Sequence, residues 1–205
     1  MDKNGLFVVG SGGHLRSLMP LIKAQGYLIL GIYDDSFDPA KPELINGCKL
    51  SGKIADLPER GNIVLSVGDN KTRALLYNLF TQRVVTDNFI HASASVEDTV
   101  RSGFSNQIFA KTCINSSADL GVNNIINTGS IIEHETRIGS HNHVSVGAIL
   151  CGRVIVGDRC FIGAGAVVID KISICNDVII GASSVVVDNI REPGTYVGNP
   201  ARRIK

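Results

Sequence analysis

Ile126-Asn127-Thr128-Gly129-Ser130-Ile131-Ile132-Glu133-His134-Glu135-Thr136-Arg137-Ile138-Gly139 places Ile126, Ile132 and Ile138 six residues apart. Followed outward, the period holds from Ile108 to Val186, fourteen consecutive positions occupied by Ile, Leu or Val without a gap. A period of six fits neither the 3.6 of an α-helix nor the 2 of a plain strand. It is the repeat of a parallel β-helix, in which three hexapeptides make one triangular coil and the aliphatic residue points inward. Small residues recur four places after the aliphatic one, at Thr112, Ala118, Ser130, Thr136, Ala148, Ala166 and Ser184, as a narrow prism requires. Gly121, Gly139, Gly157, Gly163 and Gly181 follow aliphatic positions directly and are expected to supply the unusual φ/ψ of the turns. Asn123 and Asn124 read as a polar turn. At about 4.8 Å per coil, residues 108–186 make a prism roughly 20 Å tall.

The rest of the composition agrees. Trp is absent and aromatics are only 5%, so the core must be Val, Ile, Leu and small residues. A formal charge of +1 argues against binding by phosphate neutralisation of a nucleic acid. The one close basic cluster, Arg202, Arg203 and Lys205, reads as a solvated tail. Cys48, Cys113, Cys151, Cys160 and Cys175 are odd in number and form no C-x-x-C pair, which suits reduced thiols in the cytosol better than disulfides or zinc. The chain enters a strand at Leu6 without a secretory signal, and no apolar stretch approaches the roughly 20 residues of a membrane span. A cytoplasmic protein is expected.

The N-terminal third has another pattern. Leu6 to Val9 reads as a buried strand, then comes Gly10-Ser11-Gly12-Gly13-His14, then Leu15, Leu18, Met19, Leu21 and Ile22 at helical spacing. Pro20 is expected to kink or shorten that helix. A second strand runs from Tyr27 to Tyr33 and ends on Asp34-Asp35; a third, Ile63 to Val67, leads through Gly68-Asp69-Asn70 into a helix reaching about Phe80. This is a small Rossmann-like α/β unit of about four strands. Its glycine turn can set backbone N–H groups and a helix N-terminus against a phosphate, and the acidic pair can accept hydrogen bonds from a ribose or base. The turn is G-x-G-G-H, not G-x-G-x-x-G, so a dinucleotide is disfavoured. An ordinary tight turn beside a solvated Asp pair is the alternative. The expected organisation is a Rossmann-like domain over 1–83, a connection over 84–107 and the β-helix with its tail over 108–205.

A G-x-G-G-H β-α-β domain joined to a hexapeptide prism resembles the sugar acyltransferases of the sialic acid O-acetyltransferase family. Ile126 to Glu135, His143-Val144-Ser145-Val146-Gly147-Ala148 and Val197-Gly198-Asn199-Pro200-Ala201 are most similar to bacterial nucleotide-aminosugar N-acetyltransferases that make N-acetylbacillosamine or N-acetylperosamine precursors. The resemblance makes residues 1–83 a nucleotide-sugar-binding domain and implies a left-handed β-helix, acetyl-CoA as co-substrate with no metal, and a homotrimer with active sites between subunits. It implies His134 as general base with Glu135 beside it. His143, Gly152, Ala164 and Ala182 would meet acetyl-CoA, Gly152 through its N–H at the thioester carbonyl. Ser11, Gly12, Gly13, Asp34, Asp35, Gly68 and Asn127 would meet a UDP-, GDP- or dTDP-linked amino sugar.

The chemistry stands partly without the family. Acetyl transfer from a thioester needs a nucleophile with a free lone pair, a base for its proton and a donor for the oxyanion. Histidine serves as base near neutral pH, and Glu133-His134-Glu135 offers two carboxylates, of which only one is expected to touch the imidazole. Other readings remain. The acceptor can be a hydroxyl of sialic acid or another sugar. His134, His141 and His143 can serve as the zinc ligands of a γ-type carbonic anhydrase. The prism can scaffold a non-catalytic trimer that senses a nucleotide.

Overall fold

The structure, a computed structural model, describes residues 5–205. The chain divides into two compact units at Phe89/Ile90.

The first unit is a five-stranded sheet with helices. Its elements are β1 (Gly5–Val9), α1 (Gly13–Ala24), β2 (Leu28–Tyr33), β3 (Leu44–Ile45), β4 (Cys48–Gly52), β5 (Asn62–Leu65) and α2 (Asn70–Leu79). The order is β3-β4-β2-β1-β5, parallel except for the β3–β4 hairpin. That hairpin is the strand beyond the four expected. Asn46 and Gly47 turn it with φ of 46° and 82°, the left-handed pair that an Asn-Gly turn favours. Leu15, Leu18, Met19, Leu21 and Ile22 form the buried stripe of α1. The helix does not stop at Pro20 but continues to Ala24. Pro20 lies on the exposed face, where water can take the carbonyl its missing N–H leaves.

The second unit is the left-handed parallel β-helix. Two-residue strands pair in parallel with partners 18 residues away, as Cys113 with Ile131 and Ile125 with His143. Three ladders result, one per face of the prism. None of the fourteen aliphatic positions from Ile108 to Val186 is more than 2% exposed, and the seven small residues four places on are buried as well. Pairing begins before Ile108: Ser95–Val96 and Arg101–Ser102 already bond to the coil above, within the segment 84–107 assigned to the connection. Those first strands carry Ser102 where an aliphatic residue would mark the period, which hid them.

The turns work differently from expectation. Every residue three places after a buried aliphatic, from Lys111 to Ser183, has positive φ, and only Gly129, Gly147 and Gly165 among these are glycine. Each non-glycine residue there carries roughly 1–2 kcal/mol of strain. Inter-coil bonds hold it in place: Glu135 N donates to Ser116 O at 3.0 Å and Arg153 N to His134 O at 2.9 Å. Gly121, Gly139, Gly157, Gly163 and Gly181 are not among the positive-φ residues. They are glycine because of crowding: a Cβ on Gly139 would stand 2.8 Å from Gly157 O, and one on Gly163 2.6 Å from Ala182 N.

One corner is stitched by polar side chains. Asn106 Oδ1 accepts from Asn124 N, Asn124 Oδ1 from Asn142 N and Asn142 Oδ1 from Cys160 N, at 2.6–2.9 Å. Asn124 is therefore an interior residue, while Asn123, with φ of 56°, occupies the turn. The C-terminus is no loose tail. Gly194–Val197 extends one ladder, Arg202–Arg203 pairs with it antiparallel, and Ile204 N donates to Thr195 O. Among the described residues no helix is long and apolar enough to cross a membrane.

Candidate active site

His134 stands on the turn between the strands Ile131–Ile132 and Arg137–Ile138. The left-handed conformation of Glu135 (φ 59°) folds its carboxylate back, so that Oε2 lies 3.2 Å from His134 Nδ1. Glu133 takes a different contact: its Oε2 lies 3.4 Å from the His134 amide. The turn, not strand alternation, selects which carboxylate meets the ring. With Nδ1 donating to Glu135, Nε2 is left as the proton acceptor.

The 18-residue period stacks Gly152 and Asp170 over His134 on the same corner. A Cβ on Gly152 would stand 2.7 Å from both Cε1 and Nε2 of His134 and 3.0 Å from Asp170 Oδ1. The imidazole thus occupies the space that the missing side chain leaves. The Gly152 amide donates to no backbone carbonyl among the described residues. Arg153 Nη2 donates to Asp170 Oδ2 at 2.8 Å and Oδ1 at 3.0 Å, and its Nε donates to Oδ1 at 3.3 Å. That guanidinium holds the Asp170 carboxyl below the usual carboxylate range, and His134 acts in the same direction. Burial, with Glu133 and Asp170 nearby, pushes the Cys151 thiol up. Sequence reading missed Arg153 and Asp170, although the period that predicts the coil also places residues 152–153 and 170–171 beside 134–135.

The other predicted acetyl-CoA residues lie elsewhere on the prism. His143 sits on the adjacent face, its ring edge-on to Phe161 at 5.1 Å, and its Nε2 lies 3.1 Å from Asn127 Nδ2. Ala164 and Ala182 are exposed, one coil apart on the corner that carries Gly147 and Gly165. A Cβ on Gly147 would meet nothing within 4 Å. One prism therefore brings His134, Glu135 and Gly152 together on one corner, and Asn127 with His143 at the start of the corner that carries Ala164 and Ala182 further along. His134, His141 and His143 are likewise dispersed: His141 lies at a third corner, against Asn123 at 2.9 Å. Among the described residues no cluster of three His, Cys, Asp or Glu can hold a metal ion.

In the first unit, a recess of about 310 Å³ opens at the ends of β1, β2 and β5. Gly12, Gly13, Asp34 and Gly68, expected there from sequence, line it together with His14, Ser66 and Val67. Cβ atoms on Gly12, Gly13 or Gly68 would meet nothing within 4 Å, so these positions leave space in front of the backbone. Gly10 serves the fold instead: with φ of 106°, its Cβ would strike Ser66 O at 2.5 Å.

The acidic pair divides its work. Asp34 Oδ2 accepts from Ser11 N at 2.7 Å, and Oδ1 from Ser36 N and Oγ at 2.9 and 2.6 Å. Burial opposes its charge, but the hydrogen bonds from Ser36 and Ser11 prevail and keep its carboxyl below the ordinary range. Asp34 and Ser11 thus clasp the two loops together. Asp35 Oδ1 accepts from Ile54 N at 3.2 Å, and its Oδ2 accepts no hydrogen bond among the described residues.

Residues 5–80 match the PglD N-terminal domain family. No curated protein sequence matches the chain significantly. Among solved structures, PerB from Caulobacter crescentus in complex with CoA and GDP-perosamine is 31% identical, with a TM-score of 0.89 over 98% of this chain and 97% of that one. The acetyltransferase domain of PglB from Neisseria gonorrhoeae, solved with acetyl coenzyme A, is 27% identical, with a TM-score of 0.85 over 98% and 100%. WeeI from Acinetobacter baumannii, at 22% identity and a TM-score of 0.86 over 97% and 99%, shares the fold. With this identity sustained along both units, the chain belongs to the family of acetyl-CoA-dependent sugar acetyltransferases that contains PerB.

Proposed function

We propose that the chain transfers the acetyl group of acetyl-CoA to an amino group on a nucleotide-linked sugar. The observation that carries this reading is the His134–Glu135 pair seated on Gly152 in a chain that matches, end to end, an enzyme solved with CoA and GDP-perosamine. The sugar ammonium first loses a proton to water. The amine lone pair then attacks the thioester carbonyl while Nε2 of His134 takes a second proton as the C–N bond forms. Glu135 holds the ring and stabilises the imidazolium. The Gly152 N–H serves the oxyanion. The C–S bond breaks, and His134 returns its proton to the departing thiolate of CoA.

The recess of the first unit holds the nucleotide. Gly12 and Gly13 face the phosphates, and Asp35, with an open oxygen, is the direct contact to base or ribose, while Asp34 holds the loop. Asn127 positions His143 and meets the sugar. His143, Ala164 and Ala182 meet acetyl-CoA. Because His134 and Ala164 occupy different corners of one prism, a complete site needs two subunits. The assembly is a homotrimer with three such junctions, in the cytoplasm, where five free cysteines stay reduced. The test is mass-spectrometric detection of acetyl transfer to UDP-, GDP- and dTDP-linked 4-amino sugars and to free sialic acid. One amino sugar is expected to turn over; acetylation of sialic acid alone refutes the acceptor.

A further inference from the structure

Ser66 follows β5 directly and is 2% exposed. Its amide donates to Val9 O at 2.7 Å, which fixes its backbone to the end of β1. Its hydroxyl oxygen is buried and meets no hydrogen-bond partner among the described residues. A buried polar group left so destabilises the ligand-free fold, and native proteins keep few of them. Ser66 lines the same recess as Gly12, Gly13 and His14 at the start of α1. That helix is 12 residues long and its N-cap, Gly12, makes no side-chain cap hydrogen bond, so the helix dipole at this end favours an anion.

The wall that carries Ser66 is rigid. Arg73, fully buried, donates from one nitrogen to Val67 O at 3.0 Å and Gly68 O at 3.2 Å, and from the other to Asn70 Oδ1 at 2.8 Å. Asp69 caps α2 through Thr72 N at 2.8 Å. The backbone that carries the hydroxyl is therefore held in place before any ligand arrives, as an efficient binding contact requires. A serine hydroxyl beside a helix N-terminus complements an oxygen that only accepts.

We infer that the Ser66 hydroxyl donates a hydrogen bond to a phosphate oxygen of the nucleotide-linked sugar, beside the first-turn amides of α1, and so sets the affinity for the acceptor. This rests on the acceptor reading above. The experiment titrates the full chain calorimetrically with UDP, GDP and dTDP, then repeats the titration on Ser66→Ala with whichever diphosphate binds. The loss of a hydrogen bond to a charged group weakens binding about tenfold or more. The ligand-free melting temperature stays or rises, since the substitution deletes a buried hydroxyl that the fold does not use. The corresponding nucleoside, lacking phosphates, binds both proteins alike.

Unchanged affinity for the diphosphate overturns the assignment. So does an equal loss for the nucleoside, which would take the hydroxyl off the phosphate, and so does a lowered ligand-free melting temperature, which would make it a structural group. If none of the three diphosphates binds the wild-type chain, the acceptor reading itself falls, and this inference falls with it.

Discussion

Gly152→Ala tests the proposed catalytic corner without replacing a titratable group. The added Cβ would stand 2.7 Å from Cε1 and Nε2 of His134, so the ring must retreat by about 0.7 Å to reach an ordinary 3.4 Å contact. Asp170 Oδ1, at 3.0 Å, must also give. Both are ends of side chains, and the His134 side chain is 48% exposed, so the fold can absorb the change. Gly152 has no positive φ to strain. The expected melting temperature is within a few degrees of wild type, corresponding to about 1 kcal/mol or less. Catalysis is less forgiving: a base displaced by about 1 Å loses on the order of 10²-fold. The assay is kcat in single turnover, where chemistry limits the rate. Gly152→Ala combined with His134→Ala should be no slower than His134→Ala alone, since the added methyl acts through the ring. Gly157→Ala is the contrast: its Cβ would meet backbone, Asn176 N, at 2.8 Å, so it should cost about 1–3 kcal/mol of stability. Wild-type kcat in Gly152→Ala would refute the account of His134 as a base seated by that glycine.

His134→Ala should lower kcat by roughly 10²–10⁴ with an unchanged melting curve; near-normal single-turnover rates would remove it from the role of base. Asp34→Asn should destabilise the N-terminal unit by about 1–3 kcal/mol at neutral pH. Because the folded carboxyl lies below its ordinary value, that stabilisation is full above the unfolded pKa near 4 and fades as pH falls through the folded one; a difference in melting temperature that persists in strong acid would contradict the clasp. Burial pushes the Cys160 thiol up to about 12, and its Sγ donates to Cys175 O at 3.0 Å, so it should resist thiol reagents at pH 8 until the protein unfolds; mass spectrometry of the labelled native protein checks this. Sedimentation at micromolar concentration should give three times 21.8 kDa, and a monomer would sink the shared site.

The sequence alone determined the β-helix. Inward-pointing side chains repeat once per face, so fourteen aliphatic residues at a period of six state the geometry directly, and all fourteen are buried. The glycine turn and strand ends of the first unit were legible for the same reason: they are local. His134 and Glu135 are neighbours in the chain, so their pairing could be expected. The tertiary structure decided whatever depends on the coil above or the strand alongside. Gly121 and Gly139 are glycine because of a backbone one coil away, which φ preferences cannot reveal. Asp34 and Asp35 are adjacent and identical, yet Ser11 and Ser36 engage one while Ile54 leaves an oxygen of the other open. Arg202 and Arg203 are a basic tail by composition and a paired strand in space. Ser66 is unremarkable as a letter; only the packing around β5 buries its hydroxyl without a partner, because hydrogen-bond satisfaction belongs to the folded neighbourhood and not to the chain.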